Sequence, residues 1–189
     1  LLADSVRVLA RSLARGQTIL KTAKQKVLSE FEDFTQTAKG LARKIGETLR
    51  SKKEEAQVAG RQQYEKLLAM TEQTIDWAVQ MQKQLQKQSQ RSAKRLAETL
   101  TNFIPLAQQV IQQATRRVLQ GEQVPASEKL VSIFEEHTDI IRRGKEARPV
   151  EYGHKIWLNE VEGGIVSHYR ILDGNPSDEK QWKPSLKAH

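Results

Sequence analysis

The chain has 189 residues, a formal net charge of +8 and no cysteine. The lack of cysteine excludes disulfides, thiolate zinc sites and a cysteine nucleophile, and the sequence has no run of about 18 apolar residues that would span a membrane. With 29% charged and 5% aromatic residues, the composition favours elongated helices with one solvated face over a compact enzyme. The sequence therefore predicts a soluble, cytoplasmic protein without a membrane partner.

The positive charge is unevenly distributed along the chain. Residues 1–121 contain 21 Lys and Arg against 11 Asp and Glu, whereas residues 122–189 contain 10 against 12. A basic surplus of this kind indicates an anionic partner such as nucleic acid or an acidic membrane surface. Many basic helices are only solvated, however, so the surplus alone does not decide between the two interpretations.

Two apolar stripes with a spacing of three and four residues predict helices in the first part of the chain. The first stripe covers residues 2–34 and the second covers residues 93–114. The two stripes are expected to face each other or a shared third helix. Gly16 predicts a local bend in the first helix, Pro105 a kink in the second, and Gly121 the end of the second.

A glutamine-rich stretch, residues 78–91, separates the two stripes. Its residues are good helix formers and poor strand formers, so it predicts an exposed helix rather than a strand or a prion-like tract. Upstream of it, three glycines and the charged run that starts at Arg50 predict the turn that leaves the first helix. These glycines are Gly40, Gly46 and Gly60.

The C-terminal part of the chain predicts β-structure. Residues 150–172 read as a hairpin that reverses at Gly163 and Gly164, and residues 131–134 read as a further short strand. Both faces of the returning strand carry apolar residues, which is typical of a strand inside a larger sheet covered by helices. An isolated hairpin is only marginally stable in water, so its sheet partners are expected to lie elsewhere.

These elements predict an α+β fold. Mostly helical antiparallel arms, residues 2–121, precede the hairpin at residues 150–172, and the domain boundary is expected between residues 125 and 126.

Four cations close to the hairpin are the best candidate for phosphate contact, because only Glu146 opposes them within the same seven residues. They are Arg142, Arg143, Lys145 and Arg148. If all four contact DNA, neutralising them is expected to lower the salt dependence of binding by at most about four counterions.

The histidines do not predict a metal site. His154 and His168 lie on opposing predicted strands and could approach each other, and His137 lies beside Glu135 and other acidic residues. Ordinary surface or packing histidines are the preferred interpretation, because no third ligand accompanies the first pair. Asp178 precedes the last predicted helix and is interpreted as its cap.

Two segments of the chain resemble parts of one enzyme family. One is the stretch SIFEEHTDIIRRGKEARPVEYGHKIWLNEVEGGIVSHYRILDGNPSDEKQWKPSL, in which a GK…VEYGHK lead-in, a GG-I turn and a GNPSD exit resemble strands two and three of DDE-type insertion-sequence transposases. The other is LLADSVRVLARSL, which is similar to the helix that follows the first catalytic strand in ISNCY-like and related elements. The match covers roughly residues 1–15 and 126–187.

The resemblance implies a ribonuclease-H-like core that cuts and joins DNA by phosphoryl transfer, with two Mg²⁺ ions held by three carboxylates. None of the family's carboxylate positions matches a residue of this chain. Asp4 corresponds to a helix residue downstream of the catalytic aspartate. The resemblance therefore implies no catalytic residue, metal ligand or cofactor within these 189 residues, and Mg²⁺ is expected for the full-length family member.

On this interpretation the hairpin supplies strands two and three of an incomplete ribonuclease-H-like sheet. Residues 126–189 are then a partial transposase core, and residues 1–125 comprise the helix after strand one and a helical insertion. The chain is predicted to be an internal transposase fragment, inactive alone, whose expected partners are transposon-end DNA and a second copy in a homo-oligomer. The alternative is a non-catalytic, basic helical scaffold or interaction protein, which leaves the hairpin unexplained.

Overall fold

The computed structural model divides the chain into two compact units, a helical unit (Leu1–Ile133) and a hairpin unit (Phe134–His189). It describes residues 1–28, 31–48, 50–143, 149–174 and 176–188, with side chains as far as Ser185. The division falls after Ile133 rather than after residue 125, because Leu130 and Ile133 are buried in the core of the helical unit. Among the described helices, none combines the length and the apolar composition that a membrane span requires.

Within its described residues, the helical unit forms four α-helices. These are α1 (Leu2–Thr22), α2 (Thr35–Thr48), α3 (Glu54–Gln86) and α4 (Arg91–Ala114), and α4 passes directly into a π-helical turn (Thr115–Leu119). α3 contacts the other three helices, and α1 also contacts α2 and α4. The predicted helical arms are therefore confirmed, and both apolar stripes face each other as well as α3.

Two hydrophobic clusters fix the directions of the helices. The first contains Leu20 of α1, Leu85 of α3 and Ala93 of α4. The second contains Leu2 and Val6 of α1, Leu67 and Leu68 of α3, and Val110 and Ala114 of α4. α1 and α3 thus run in the same direction and α4 runs against them. As a result, the end of α1 and the α3–α4 connection lie at the same end of the unit.

Gly16 lies where α1 packs tightly against Met81 of α3. A Cβ atom at this position would lie 2.8 Å from Cγ of Met81, whose side chain is fully buried. α1 continues through this glycine, for which the sequence predicted a bend. The structure assigns Gly16 a packing role instead, because only a residue without a side chain fits against Met81.

The first helix ends earlier than its apolar stripe predicts. α1 stops at Thr22, where the amide of Gln25 donates to the Leu20 carbonyl at 2.9 Å and Lys24 adopts a left-handed φ of 55°. This is the hydrogen-bonded pattern of a Schellman cap, which terminates a helix. The prediction of a continuous helix over residues 2–34 is therefore wrong.

The end of the first stripe contributes aromatic packing without a helix. Phe31 and Phe34 place their ring centroids 5.7 and 5.4 Å from that of Trp77 in α3. Phe31 and Phe34 pack against the same core as α1. This shared core explains why apolar residues continue beyond the end of the helix.

Two details of the predicted helical region are corrected. Gly40 and Gly46 lie inside α2 and Gly60 lies inside α3, so none of them forms the predicted turn. Pro105 lies inside α4, and the kink predicted there stays a prediction. The glutamine-rich stretch is not an exposed helix throughout: its first part is the end of α3, where Met81 and Leu85 are fully buried. The frequent glutamines of this stretch hide the two apolar positions that are buried.

The segment after α4 is held by polar contacts. Gly121 adopts the predicted left-handed conformation, with a φ of 72°. The Gln113 side chain accepts from the Leu130 amide and donates to the Leu130 carbonyl, both at 2.9 Å. Arg116 donates to the carboxylate of Glu122 and, at 2.7 Å, to that of Glu128. These contacts hold the connection against the helix, which explains why Leu130 belongs to the helical core.

The ion pair between Arg116 and Glu122 predicts a pH effect on stability. The hydrogen bond from Arg116 holds the pKa of Glu122 below its ordinary value, which is about 4.3. A carboxylate with a lowered pKa stabilises the fold above its unfolded-state pKa, and this contribution is lost as the pH falls through the folded-state pKa. We expect Glu122→Gln to reduce the drop in thermal midpoint between pH 7 and pH 3. Glu98→Gln, on the exposed side of α4, is the control; an equal drop in the Glu122→Gln variant and the wild type contradicts the prediction.

The hairpin unit contains two antiparallel hairpins and one helix in its described residues. Its elements are β1 (Asp139–Arg142), β2 (Val150–Gly153), β3 (Lys155–Val161), β4 (Ile165–Leu172) and α5 (Glu179–Ala188). β1 pairs with β2, and β3 pairs with β4. The predicted reversal is confirmed, because Gly163 and Gly164 have φ values of 88° and 76°. The chain is thus an α+β protein, as predicted.

The single predicted hairpin over residues 150–172 is wrong at its first strand. β2 pairs instead with β1. β1 was not predicted because it has only four residues, and its two adjacent isoleucines do not alternate with polar residues. Residues 131–134 form no strand. Ile133 is instead buried against the helices, and burial rather than strand formation explains this isoleucine.

Candidate nucleic-acid interface

The structure describes two of the four predicted DNA-binding cations. Arg142 is the last residue of β1 and is exposed. Arg143 follows it and donates to the carboxylate of Glu151 in β2. Lys145 and Arg148 lie outside the described residues. Because Glu151 opposes Arg143 across the hairpin, the local positive charge is smaller than the sequence indicates.

A larger group of cations lies at one end of the helical unit, and we call it the basic tip. Three of its members lie in the last turn of α1 or shortly after it. The other five lie at the end of α3, just after it, or at the start of α4. They are Lys21, Lys24, Lys26, Lys83, Lys87, Arg91, Lys94 and Arg95, all exposed. Leu20, Leu85 and Ala93 share one core cluster beneath them, which places both groups at the same end.

No acidic residue opposes the second group in the sequence. Between Asp76 and Glu98 the chain contains five cations and no carboxylate. Among the described residues, none of the eight members of the basic tip takes part in a salt bridge. Their charges are therefore available to an anionic partner, and such charges neutralise phosphates and release counterions when DNA binds.

Glutamines alternate with these cations along the helices. Gln80, Gln86 and Gln90 are exposed, and their neutral amides can donate to phosphate oxygens without adding charge. From its sequence alone this stretch is interpreted as a solvated helical face, because lysines spaced along one helix do not reveal neighbours from α1. The absence of carboxylates between Asp76 and Glu98 is the sequence signal that would have identified it.

One face of the β3–β4 hairpin is covered by α5. Nε1 of Trp157 donates to Oδ1 of Asn159 at 2.8 Å and to Oγ of Ser185 at 2.9 Å. The Lys155 ammonium lies 2.7 Å from the carboxylate of Asp178, which directly precedes α5. Asp178 was predicted as a helix cap; among the described residues its side chain pairs with this lysine of β3. These partly buried polar contacts hold the helix on the hairpin.

The opposite face of the same hairpin is apolar and uncovered. Ile156, Leu158, Tyr169 and Ile171 alternate with the residues that face α5, and between 55% and 67% of each is exposed. Among the described strands, β3 and β4 pair only with each other, so each has one edge without a partner. A contiguous apolar face with open edges is typical of a surface that another element or chain covers.

The structure separates the two histidines that the sequence placed together. His168 lies opposite Asn159 in the β3–β4 register. His154 stacks on His137 instead, with ring centroids 5.1 Å apart, and its Nε2 atom lies 3.4 Å from Oε1 of Glu135. The approach of His154 to His168 is therefore not observed, because His154 directly precedes β3 whereas His168 lies opposite Asn159 within it.

The described carboxylates do not form the three-carboxylate Mg²⁺ site of the transposase family. Asp4 pairs with Arg7, and Asp178 pairs with Lys155. Among the described residues, the side chains close enough to hold a metal ion are Glu135, His137 and His154, a donor set with only one carboxylate.

Comparison with protein-family models, with curated proteins and with solved structures gives no match to this chain. Its function therefore has to be inferred from the geometry of its own residues.

Proposed function

We propose that the chain is a DNA-binding part of a DDE-type insertion-sequence transposase. In this proposal the helical unit holds DNA, and β3 and β4 belong to a ribonuclease-H-like sheet completed by other strands. The catalytic carboxylates and their Mg²⁺ ions belong to the full-length protein. Transposon-end DNA is the partner, and a second copy of the chain is expected in the assembly.

The observation that carries the proposal is the uncovered face of the β3–β4 hairpin. A two-stranded hairpin with four exposed apolar side chains on one face and two open edges buries too little surface to be stable by itself. Its other face is already occupied by α5 through Trp157 and Ser185. Such a hairpin is suited to a larger sheet, which is what the resemblance of this segment to strands two and three implies.

The basic tip supports DNA as the partner. Its eight exposed cations belong to both helical segments that meet at this end, and exposed lysine and arginine side chains supply the sequence-independent part of DNA affinity. The predicted cations Arg142 and Arg143 provide a smaller contribution, because Arg143 pairs with Glu151.

Catalysis by this chain alone is not expected. We predict that the purified protein nicks supercoiled plasmid in the presence of Mg²⁺ no faster than a variant with Asp4→Ala, Asp173→Ala and Asp178→Ala. The physical reason is that two-metal phosphoryl transfer needs carboxylates that meet at one point, and Asp4 and Asp178 are instead engaged by separate cations. Faster nicking by the wild type, measured on agarose gels, would show that the chain holds its own metal pair.

A non-catalytic helical scaffold is the second candidate. It is favoured by the helical unit having its own two hydrophobic clusters, so that this unit does not need the hairpin for its core. A scaffold that binds proteins has no requirement for DNA.

DNA binding separates the two candidates. Fluorescence anisotropy of a labelled duplex with the full chain, from 50 to 300 mM salt, measures both affinity and its salt dependence. Binding that weakens steeply with salt supports the transposase part. No binding at 50 mM salt overturns it and leaves the scaffold.

A further inference from the structure

We propose that Glu135, His137 and His154 form a binding site for a divalent transition-metal ion of the Zn²⁺ class. This site lies within the hairpin unit and does not depend on the proposed role in transposition. Its donors, two imidazoles and one carboxylate, differ from the three carboxylates that the family uses for Mg²⁺.

The backbone brings the three side chains together from two segments. Glu135 and His137 share one turn, which is closed by hydrogen bonds from the amide and the hydroxyl of Thr138 to the Glu135 carbonyl, at 3.1 and 2.8 Å. The β1–β2 register pairs Asp139 with Gly153. The next residue, His154, is therefore placed beside the turn that precedes β1. The backbone at all three residues is therefore placed by the hydrogen-bonded turn and by the β1–β2 register.

The separations are close to those of a metal site. Nε2 of His154 and Oε1 of Glu135 are 3.4 Å apart. Two ligand atoms on one tetrahedral Zn²⁺, each about 2.0–2.1 Å from the ion, are separated by about 3.4 Å. One ligand atom from each of the three residues lies within 4.8 Å of the other two. Side-chain rotation would bring these atoms to the separation of ligands on one ion.

The imidazoles of His137 and His154 lie against each other. Their rings are stacked, with centroids 5.1 Å apart and planes inclined by 18°, so a side-chain rotation is needed to direct one nitrogen of each ring at a shared ion. With 53% of the Glu135 side chain and 27% of the His154 side chain exposed, the site is open to solvent. An open three-ligand site leaves the fourth position to water, as in zinc sites with three protein ligands.

The donor set selects the class of metal. Imidazole nitrogen suits Zn²⁺, Co²⁺, Ni²⁺ and Cu²⁺, whereas Mg²⁺ and Ca²⁺ prefer oxygen ligands. A bound ion would link the turn before β1 to the start of β3, and ligand binding to the folded state alone stabilises that state. We therefore expect the metal to raise the unfolding temperature of the protein.

The test is a titration of the tag-free full chain with Co²⁺. Binding is monitored by the visible absorption of the bound ion, and Zn²⁺ is then added as a competitor. The expected result is one Co²⁺ per chain, displaced by Zn²⁺. Glu135→Gln, His137→Gln and His154→Gln are each expected to weaken binding by at least about tenfold, since even the loss of an outer-shell partner costs that much.

Two matched controls keep the outcome specific. His168→Gln removes the exposed histidine of β4, and Glu136→Gln removes the carboxylate next to the site; both should leave Co²⁺ affinity unchanged. Thermal unfolding with and without Zn²⁺ provides a second measurement, in which the wild type and both controls shift upward and Glu135→Gln does not. Absence of saturable binding by the wild type, or an equal loss in His168→Gln, overturns the proposal.

Discussion

Replacing four cations of the basic tip by glutamine is expected to weaken binding of the full chain to duplex DNA by about 100-fold at 50 mM salt. The four are Lys83, Lys87, Arg91 and Lys94, which are exposed around the α3–α4 connection. Each cation that contacts a phosphate releases about 0.9 counterion. The slope of log affinity against log salt should therefore become shallower by about 3.6 if all four contact phosphates.

A control variant with the same change in net charge separates local contacts from overall attraction. It carries Lys39→Gln, Lys44→Gln, Lys52→Gln and Lys53→Gln, which remove four exposed lysines on α2 and before α3. This variant should keep a slope within one unit of the wild type. Equal effects of the two variants would mean that net charge, rather than the basic tip, attracts DNA.

The fold of the tip variant is not expected to suffer. Arg91 and Lys94 lie in the first turn of α4, where positive charge is unfavourable because it faces the positive end of the helix dipole. Their removal should therefore leave α4 as stable as before or slightly more stable. Far-UV circular dichroism of both variants checks that the loss of DNA binding is not a loss of structure.

Gly16→Ala is expected to lower the free energy of unfolding by about 1–2 kcal/mol, although alanine is the better helix former. The new Cβ atom would lie 2.8 Å from Cγ of Met81, and this side chain is fully buried and cannot move into solvent. The overpacking cost therefore exceeds the gain of about 1 kcal/mol in helix propensity. Chemical denaturation of the full chain measures the change.

Gly40→Ala is the matched control for this prediction. Gly40 lies inside α2, and a Cβ atom there would meet nothing within 4 Å. The same substitution should therefore stabilise the protein by about 0.5–1 kcal/mol. A double variant, Gly16→Ala with Met81→Ala, should be less destabilised than the sum of its parts, because the smaller side chain makes room for the new methyl group. A gain of stability in Gly16→Ala would show that the two helices are not in close contact.

The sequence predicts those elements whose residues carry a local pattern. The helices α1 and α4 are predictable because a spacing of three and four residues is a property of one segment. The β3–β4 reversal is predictable because Gly163 and Gly164 supply the positive φ that it requires. The end of α1 was missed because Lys24, which adopts the left-handed conformation, is not a residue type that signals a helix end.

The candidate sites were harder to predict because they are assembled from separate segments. Lys21 and Lys87 belong to the same end of the helical unit because Leu20 and Leu85 pack into one cluster. His154 reaches Glu135 only through the register that pairs Asp139 with Gly153. The carboxylate of Glu151 that opposes Arg143 was likewise hidden by its position on the opposite strand. Register and helix direction depend on long-range packing, which one sequence does not display.

The bulge between Asn159 and Glu160 has a consequence for the behaviour of the molecule in concentrated solution. Apolar edge strands with unpaired backbone groups tend to pair with the same strands of other molecules and form fibrils. A one-residue irregularity twists the ribbon locally, so a second copy cannot align with it along its full length. The irregularity therefore opposes edge-to-edge aggregation through the β3–β4 hairpin, the element with open edges and an exposed apolar face.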